Sequence, residues 1–149
     1  MSRGASGEAS REASGEASGE ASGEALSVLV VADDLMWSVR LVSQARAAGA
    51  NGRTVHDLAA LDATLAAERP GLVVVDLSAR AFDGVAAVSV AATAGLLVIA
   101  ISQHEEHELR KRALAAGARR VYANAKMHAD GVALLSRWLA APVVKATAG

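Results

Sequence analysis

The 149-residue sequence contains no cysteine, so it can form neither a disulfide framework nor a cysteine zinc site, and it suits a reducing cytoplasm, the expected location. Aromatic side chains are scarce: Trp37, Phe82, Tyr122 and Trp138 are the full set. Four scattered rings make no base-stacking platform. Excess charge is missing too, the net value being -1. Residues 1–25 carry five Glu against two Arg, which leaves thirteen basic and eleven acidic residues downstream. A balance so near neutral gives no ground for a nucleic-acid partner. No basic segment leads into an apolar core at the amino terminus, so no secretory signal is expected. No Gly-rich phosphate loop follows any apolar run, which argues against a phosphate-transfer or hydrolytic enzyme acting on a small molecule, and no hydroxyl-rich loop follows the first apolar run, which argues against a flavin mononucleotide carrier.

One long stretch lacks charge. Residues 85–102 are 18 uncharged residues, about the minimum for a membrane span. The first half is mostly alanine, and Ala94-Gly95 interrupts it just before LLVIAI. Helix, turn and buried strand is therefore the expectation, with no membrane contact.

What is present falls into unequal parts. Residues 5–24 are five copies of ASGE, with Arg11 in place of Gly in the second. Small and polar throughout, residues 1–25 are predicted to be a disordered arm. From Leu26 strands and helices alternate, giving a domain over residues 26–141 and a flexible tail over 142–149 after Pro142. A continuous apolar strand, Leu26–Ala32, ends on Asp33-Asp34. A helix over Leu35–Ala48 follows, closed by Gly49 and Gly52, then a weak strand over Arg53–His56. Asp57 caps a second helix carrying Leu58, Leu61 and Leu65. Pro70-Gly71 then turns into the run LVVVD, whose β-branched residues suit a strand covered on both faces and whose last residue is Asp76. Beyond it lie a helix over Val85–Thr93 and a strand over Leu96–Ile101 ending on Ser102. A helix over His104–Ala116, a short strand over Val121–Ala123 and a closing helix over Gly131–Ala140 complete the pattern.

Five such β-α units connect by right-handed crossovers into a parallel sheet with helices on both faces. The predicted fold is α/β and flavodoxin-like, a (βα)5 domain with strand order 2-1-3-4-5. That order sets the first and third strands side by side and gathers Asp33, Asp34 and Asp76 at their carboxyl ends. Three carboxylates there repel one another unless a cation neutralises them, and a hard divalent ion such as Mg²⁺ suits them.

These residues resemble the receiver domain of two-component response regulators. The resemblance covers about Leu26 to Ala141: Asp33-Asp34 match the family's acidic pair, Asp76 its phosphoacceptor, Asp83-Gly84 its Asp-Gly, Ser102 its Ser/Thr, and Gly117-Ala118 its Gly-Ala. It implies an acyl phosphate on Asp76 and Mg²⁺ held by Asp33, Asp34, Asp76 and the Ser78 carbonyl. It further implies a Ser102 hydroxyl that senses the phosphoryl group and a His104 that tunes its hydrolysis. The partners implied are a sensor kinase or phosphotransfer protein and a downstream protein, with no enzyme activity of its own. A homodimer is left open by the basic cluster Arg110, Lys111, Arg112, Arg119 and Arg120, which borders the surface receivers commonly use to dimerise. Four positions depart from the pattern: Asn124 stands where the family has lysine, Ala125 where a proline usually follows it, Arg80 where a proline follows the phosphoacceptor, and Val121, with Tyr122 beside it, where the family has its aromatic switch residue. Lys126 lies two residues beyond Asn124. The departures motivate an alternative, a degenerate receiver that binds a partner without phosphorylation.

Overall fold

A computed structural model describes residues 26–103 and 106–140. Along the chain it contains β1 (Ser27–Val31), α1 (Leu35–Ala47), β2 (Asn51–Val55), α2 (Leu58–Ala67), β3 (Leu72–Asp76) and α3 (Gly84–Thr93). It continues through β4 (Val98–Ser102), α4 (His107–Ala116), β5 (Arg120–Ala123) and α5 (Asn124–Ala140). All strands pair in parallel in the order β2-β1-β3-β4-β5, the flavodoxin-like order expected from the sequence. Every residue of β3 and β4 is buried, as uninterrupted apolar runs covered on both faces must be. Edge strand β2 buries only Val55, which is why its sequence signal is weak.

Strand alternation sorts the core into two layers. Leu29, Val31, Val73, Val75, Val98 and Ala100 face α2, α3 and α4, where Leu61, Val88 and Ala113 meet them. Their neighbours Val28, Val30, Leu72, Val74, Ile99 and Ile101 face α1 and α5, against Leu41, Met127 and Leu135. An aspartate opens each of the first three helices: Asp34 accepts from Trp37 N, Asp57 from Ala60 N, and Asp83 from Val85 N and Ala86 N. Each such cap contributes about 1 kcal/mol. Gly84 begins α3 because a Cβ there would lie 2.8 Å from Leu77 Cα, so the helix starts flush against the end of β3. Gly117 ends α4 at φ 123, a left-handed conformation that favours glycine.

The last helix corrects the sequence reading. It begins at Asn124, directly after β5, and not at Gly131. Asp130 has φ -123 and ψ 15, so two helical pieces meet there at a kink. Met127 O would accept from Gly131 N in an unbroken helix. At this kink Met127 O accepts from Gln44 Nε2 of α1 at 2.9 Å, and Gln44 is only 8% exposed. A Cβ on Gly131 would lie 2.3 Å from Gln44 Oε1, so glycine is what admits this stitch between α1 and α5. Smaller corrections concern β2, which starts at Asn51 and takes in Gly52, and α4, which starts at His107 and not His104. The arm over residues 1–25, His104 with Glu105, and residues 141–149 lie outside the described residues. No described helix is long and apolar enough to cross a membrane.

Candidate functional site

The sheet's register delivers the site. Val31 pairs with Val75, which sets Ala32 beside Asp76 and Asp33 one step beyond it. On the other side Asp76 pairs with Ile101, while Ser102 pairs with Ala123, the residue before Asn124. Asp33, Asp76, Ser102 and Asn124 thus converge at the carboxyl edge of the sheet, where open α/β folds place ligands.

Asp76 is 3% exposed. Burial raises its pKa above the usual aspartate value, the N–H of Ser78 opposes the rise from 2.9 Å, and the charges of Asp33 and Asp34 add to it. This carboxylate therefore stands in a surrounding that calls for a positive charge. Asp33 and Asp34, adjacent in sequence, behave differently. Asp34 is exposed and turns Oδ1 to the first turn of α1, 2.9 Å from Trp37 N. Asp33 reaches the loop after β3, where its Oδ2 accepts from Arg80 N at 2.8 Å and Ala81 N at 2.7 Å. All-oxygen donors on three carboxylates suit a hard divalent cation such as Mg²⁺. With the pair's oxygens turned to backbone amides, no three His, Cys, Asp or Glu side chains among the described residues stand grouped as metal ligands. The donor chemistry fits the ion, and Asp33 and Asp34 each keep a second oxygen for it.

Ser102, 5% exposed, lines a cavity of about 270 Å³ between β4, β5 and α4, shared with His107, Arg110 and Tyr122. Arg110 closes its rim by donating from Nη1 to Val121 O at 2.9 Å. The Oδ1 of Asn124 is buried without a hydrogen-bond partner. Lys126 does not curl toward Asp76; it forms an i,i+4 ion pair with Asp130 at 2.8 Å, within the helical turns that the sequence reading left as loop. A larger groove of about 1090 Å³ follows α1 and the first half of α5, touching the site only through Asp34 and Asn124. Trp37 packs half-buried on the α1 side, and Trp138, also half-buried, donates to Tyr122 Oη. The Ser78 hydroxyl was not singled out from sequence. It accepts from Gln103 N at 2.9 Å, so Ser78 joins Asp76 to the loop after β4. No sequence pattern marks it, since both of its donors and acceptors here involve backbone.

No protein-family model and no curated protein matches the sequence. Solved structures do. A response regulator from Thermotoga maritima superposes with TM-score 0.68 at 14% identity, over 79% of this chain and all of that one. The fold is that of a response regulator receiver domain. NtrX from Brucella abortus, solved in complex with ADP, matches this receiver fold at 26% identity and TM-score 0.69, over 78% of this chain and 27% of its own. A Burkholderia pseudomallei response regulator, solved with a phosphorylated aspartic acid, calcium ion and citrate, matches at 19% identity and TM-score 0.61. That match covers 66% of this chain and 59% of the Burkholderia chain, so this chain spans somewhat over half of that relative's length.

Proposed function

We propose that this receiver domain acts in two-component phosphorelay signalling in the cytoplasm, accepting a phosphoryl group on Asp76 and acting through a partner protein. The observation that carries the reading is Asp76 itself: a buried carboxylate at the sheet's carboxyl edge, flanked by two more acids and by Ser102 of the adjacent strand. An Asp76 oxygen attacks the phosphorus of a phosphohistidine on a sensor kinase or phosphotransfer protein. The P–N bond breaks, its electron pair and a proton end on the imidazole, and an acyl phosphate remains on Asp76. Mg²⁺, held by Asp33, Asp34, Asp76 and the Ser78 carbonyl, would supply charge neutralisation when bound. Ser102 donates its hydroxyl to a phosphoryl oxygen, while Ser78 holds Asp76 through its N–H and the next loop through its hydroxyl. The domain is a carrier of the phosphoryl group and not a turnover enzyme. The calcium ion and phosphorylated aspartic acid of the Burkholderia relative support this assignment.

A second reading has its own observation. Asn124 brings no cation to the edge and Lys126 is committed to Asp130, so the charge-assisted contact a lysine makes with phosphate is missing. On this reading the domain binds its partner without phosphorylation. Intact-mass analysis after incubation with Mg²⁺ and acetyl phosphate separates the two. One phosphoryl adduct on wild type, absent from Asp76→Ala, is the expected result. No adduct on a folded preparation transfers the weight to the interaction module.

A further inference from the structure

α1 and α5 wall an open groove. Both helices start at the carboxyl edge of the sheet, α1 after β1 and α5 after β5, so they run side by side in one direction. Their inward faces meet in the layer of Leu41, Met127 and Leu135. Outside that layer lies the groove of about 1090 Å³, lined by Leu35, Val39 and Ala47 of α1 and by Asn124, His128 and Val132 of α5. Steps of four residues make one stripe on a helix, so the groove follows the whole of α1 and the first half of α5. Its apolar members stand open to solvent: Met36 is 82% exposed, Leu35 70%, Val39 58% and Val132 39%. Contiguous apolar surface of this kind marks an interaction site.

We propose that the occupant is this chain's own segment Pro142-Val143-Val144-Lys145, turned back over the end of α5 and laid between α1 and α5. Three observations single it out. Val143 and Val144 are, with Met1, the only large apolar side chains in the sequence outside residues 26–140, so the ASGE arm has nothing to fill an apolar groove. The segment also starts in the right place: α5 ends at Ala140 and α1 at Ala47, both at the amino edge of the sheet, where Pro142 lacks the N–H that would prolong α5. Reach agrees as well. An extended chain gains about 3.3 Å per residue, about 10–13 Å at Val143 and Val144, and Val132 lies about 12 Å back along α5. The two valines therefore fall between Ala47 and Val132 once the reversal is made. Successive side chains of an extended segment point to opposite sides, which sets one valine against α1 and the other against α5. Tethering favours this segment over a second copy, because a short linker holds it at a millimolar effective concentration. The proposal does not depend on phosphorylation.

The test uses the full chain. Because the sequence has no cysteine, Lys145→Cys supplies a single thiol, and a nitroxide attached there reports on nearby amides of the isotope-labelled protein. The amide signals of Val39, Ser43 and Val132 are expected to lose most of their intensity, while Leu65 and Val90, packed on the opposite layer, keep theirs. Adding Val143→Asp and Val144→Asp to the same labelled chain should restore the signals of Val39 and Ser43. Without any nitroxide, wild type and the double Asp variant should differ in the amide shifts of Val39 and Val132 and agree at Leu65. Broadening that fades from Ala140 equally toward both layers, or that survives the two Asp substitutions, means a free tail and overturns the proposal. Identical spectra of wild type and the double variant overturn it too. A third outcome is broadening of an isotope-labelled chain by a separate, spin-labelled one, which would seat the tail of a second copy on the groove and likewise refute the tethered arrangement. All three substitutions lie outside residues 26–140, and the core amides of each variant show directly that it is folded.

Discussion

Asp76 concentrates the conflict between burial and charge. Its pKa is raised in the folded state, first by burial and then by Asp33 and Asp34, so the folded protein holds that proton more tightly than the unfolded chain does. Stability is therefore greatest at low pH as far as this group is concerned. It falls as pH climbs from the ordinary value of 3.8 through the raised one, and the deficit persists above it. Asp76→Asn removes the charge and keeps an oxygen for Ser78 N, so its melting temperature at pH 7 should exceed that of wild type by several degrees. The gap should close as the pH approaches 3.8, and an equal gap at both ends of a thermal series would remove burial of charge as the cause. At Asn124 the expectation runs toward gain. Lysine there adds a charge-assisted partner for a phosphoryl group, and Asn124→Lys should raise the phosphorylated fraction under acetyl phosphate about tenfold in rate. An unchanged rate would show that a cation at this position is not what limits uptake. The placement of Asp33, Asp76 and Ser102 at the sheet's carboxyl edge was legible in the sequence because each stands at the end of an apolar run. The clamp on Asp33 was not, because Arg80 and Ala81 contribute backbone N–H groups that any residue but proline supplies.

At the scale of elements, the legible parts were those with strong periodicity and a cap. β1, β3 and β4 are apolar runs buried on both faces, and Asp34, Asp57 and Asp83 mark three helix starts. α5 was read from Gly131 because Asn124–Asp130 offers one large apolar residue, Met127, too little to show a stripe. Tertiary packing supplies what periodicity does not: Met127 is fully buried and its carbonyl is held by Gln44. Gly84 makes the junction of β3 and α3 testable. A Cβ 2.8 Å from Leu77 Cα and 3.1 Å from Asp76 O meets backbone that cannot swing aside, so Gly84→Ala should cost about 1–3 kcal/mol. Denaturant unfolding measures it. A loss within 0.3 kcal/mol or so, the scale of an ordinary surface change, would mean that α3 shifts away from the sheet without penalty.

For the molecule as a whole, the sheet is what the two apolar layers share among the described residues. Leu61 lies in the layer of α2, α3 and α4, while Trp37 and Trp138 both pack against the layer of α1 and α5. Tryptophan fluorescence thus reports one side, and a substitution at Leu61 perturbs the other. β3 and β4 send alternate side chains into both layers, so neither layer can dissolve while its opposite keeps a packed sheet. Leu61→Ala, at a position 0% exposed, should cost about 2–5 kcal/mol. That loss should shift the fluorescence transition and the far-ultraviolet transition by the same amount, as one cooperative unit requires. Fluorescence that melts at the wild-type midpoint while helix signal is lost earlier would divide the domain into two units along its own sheet.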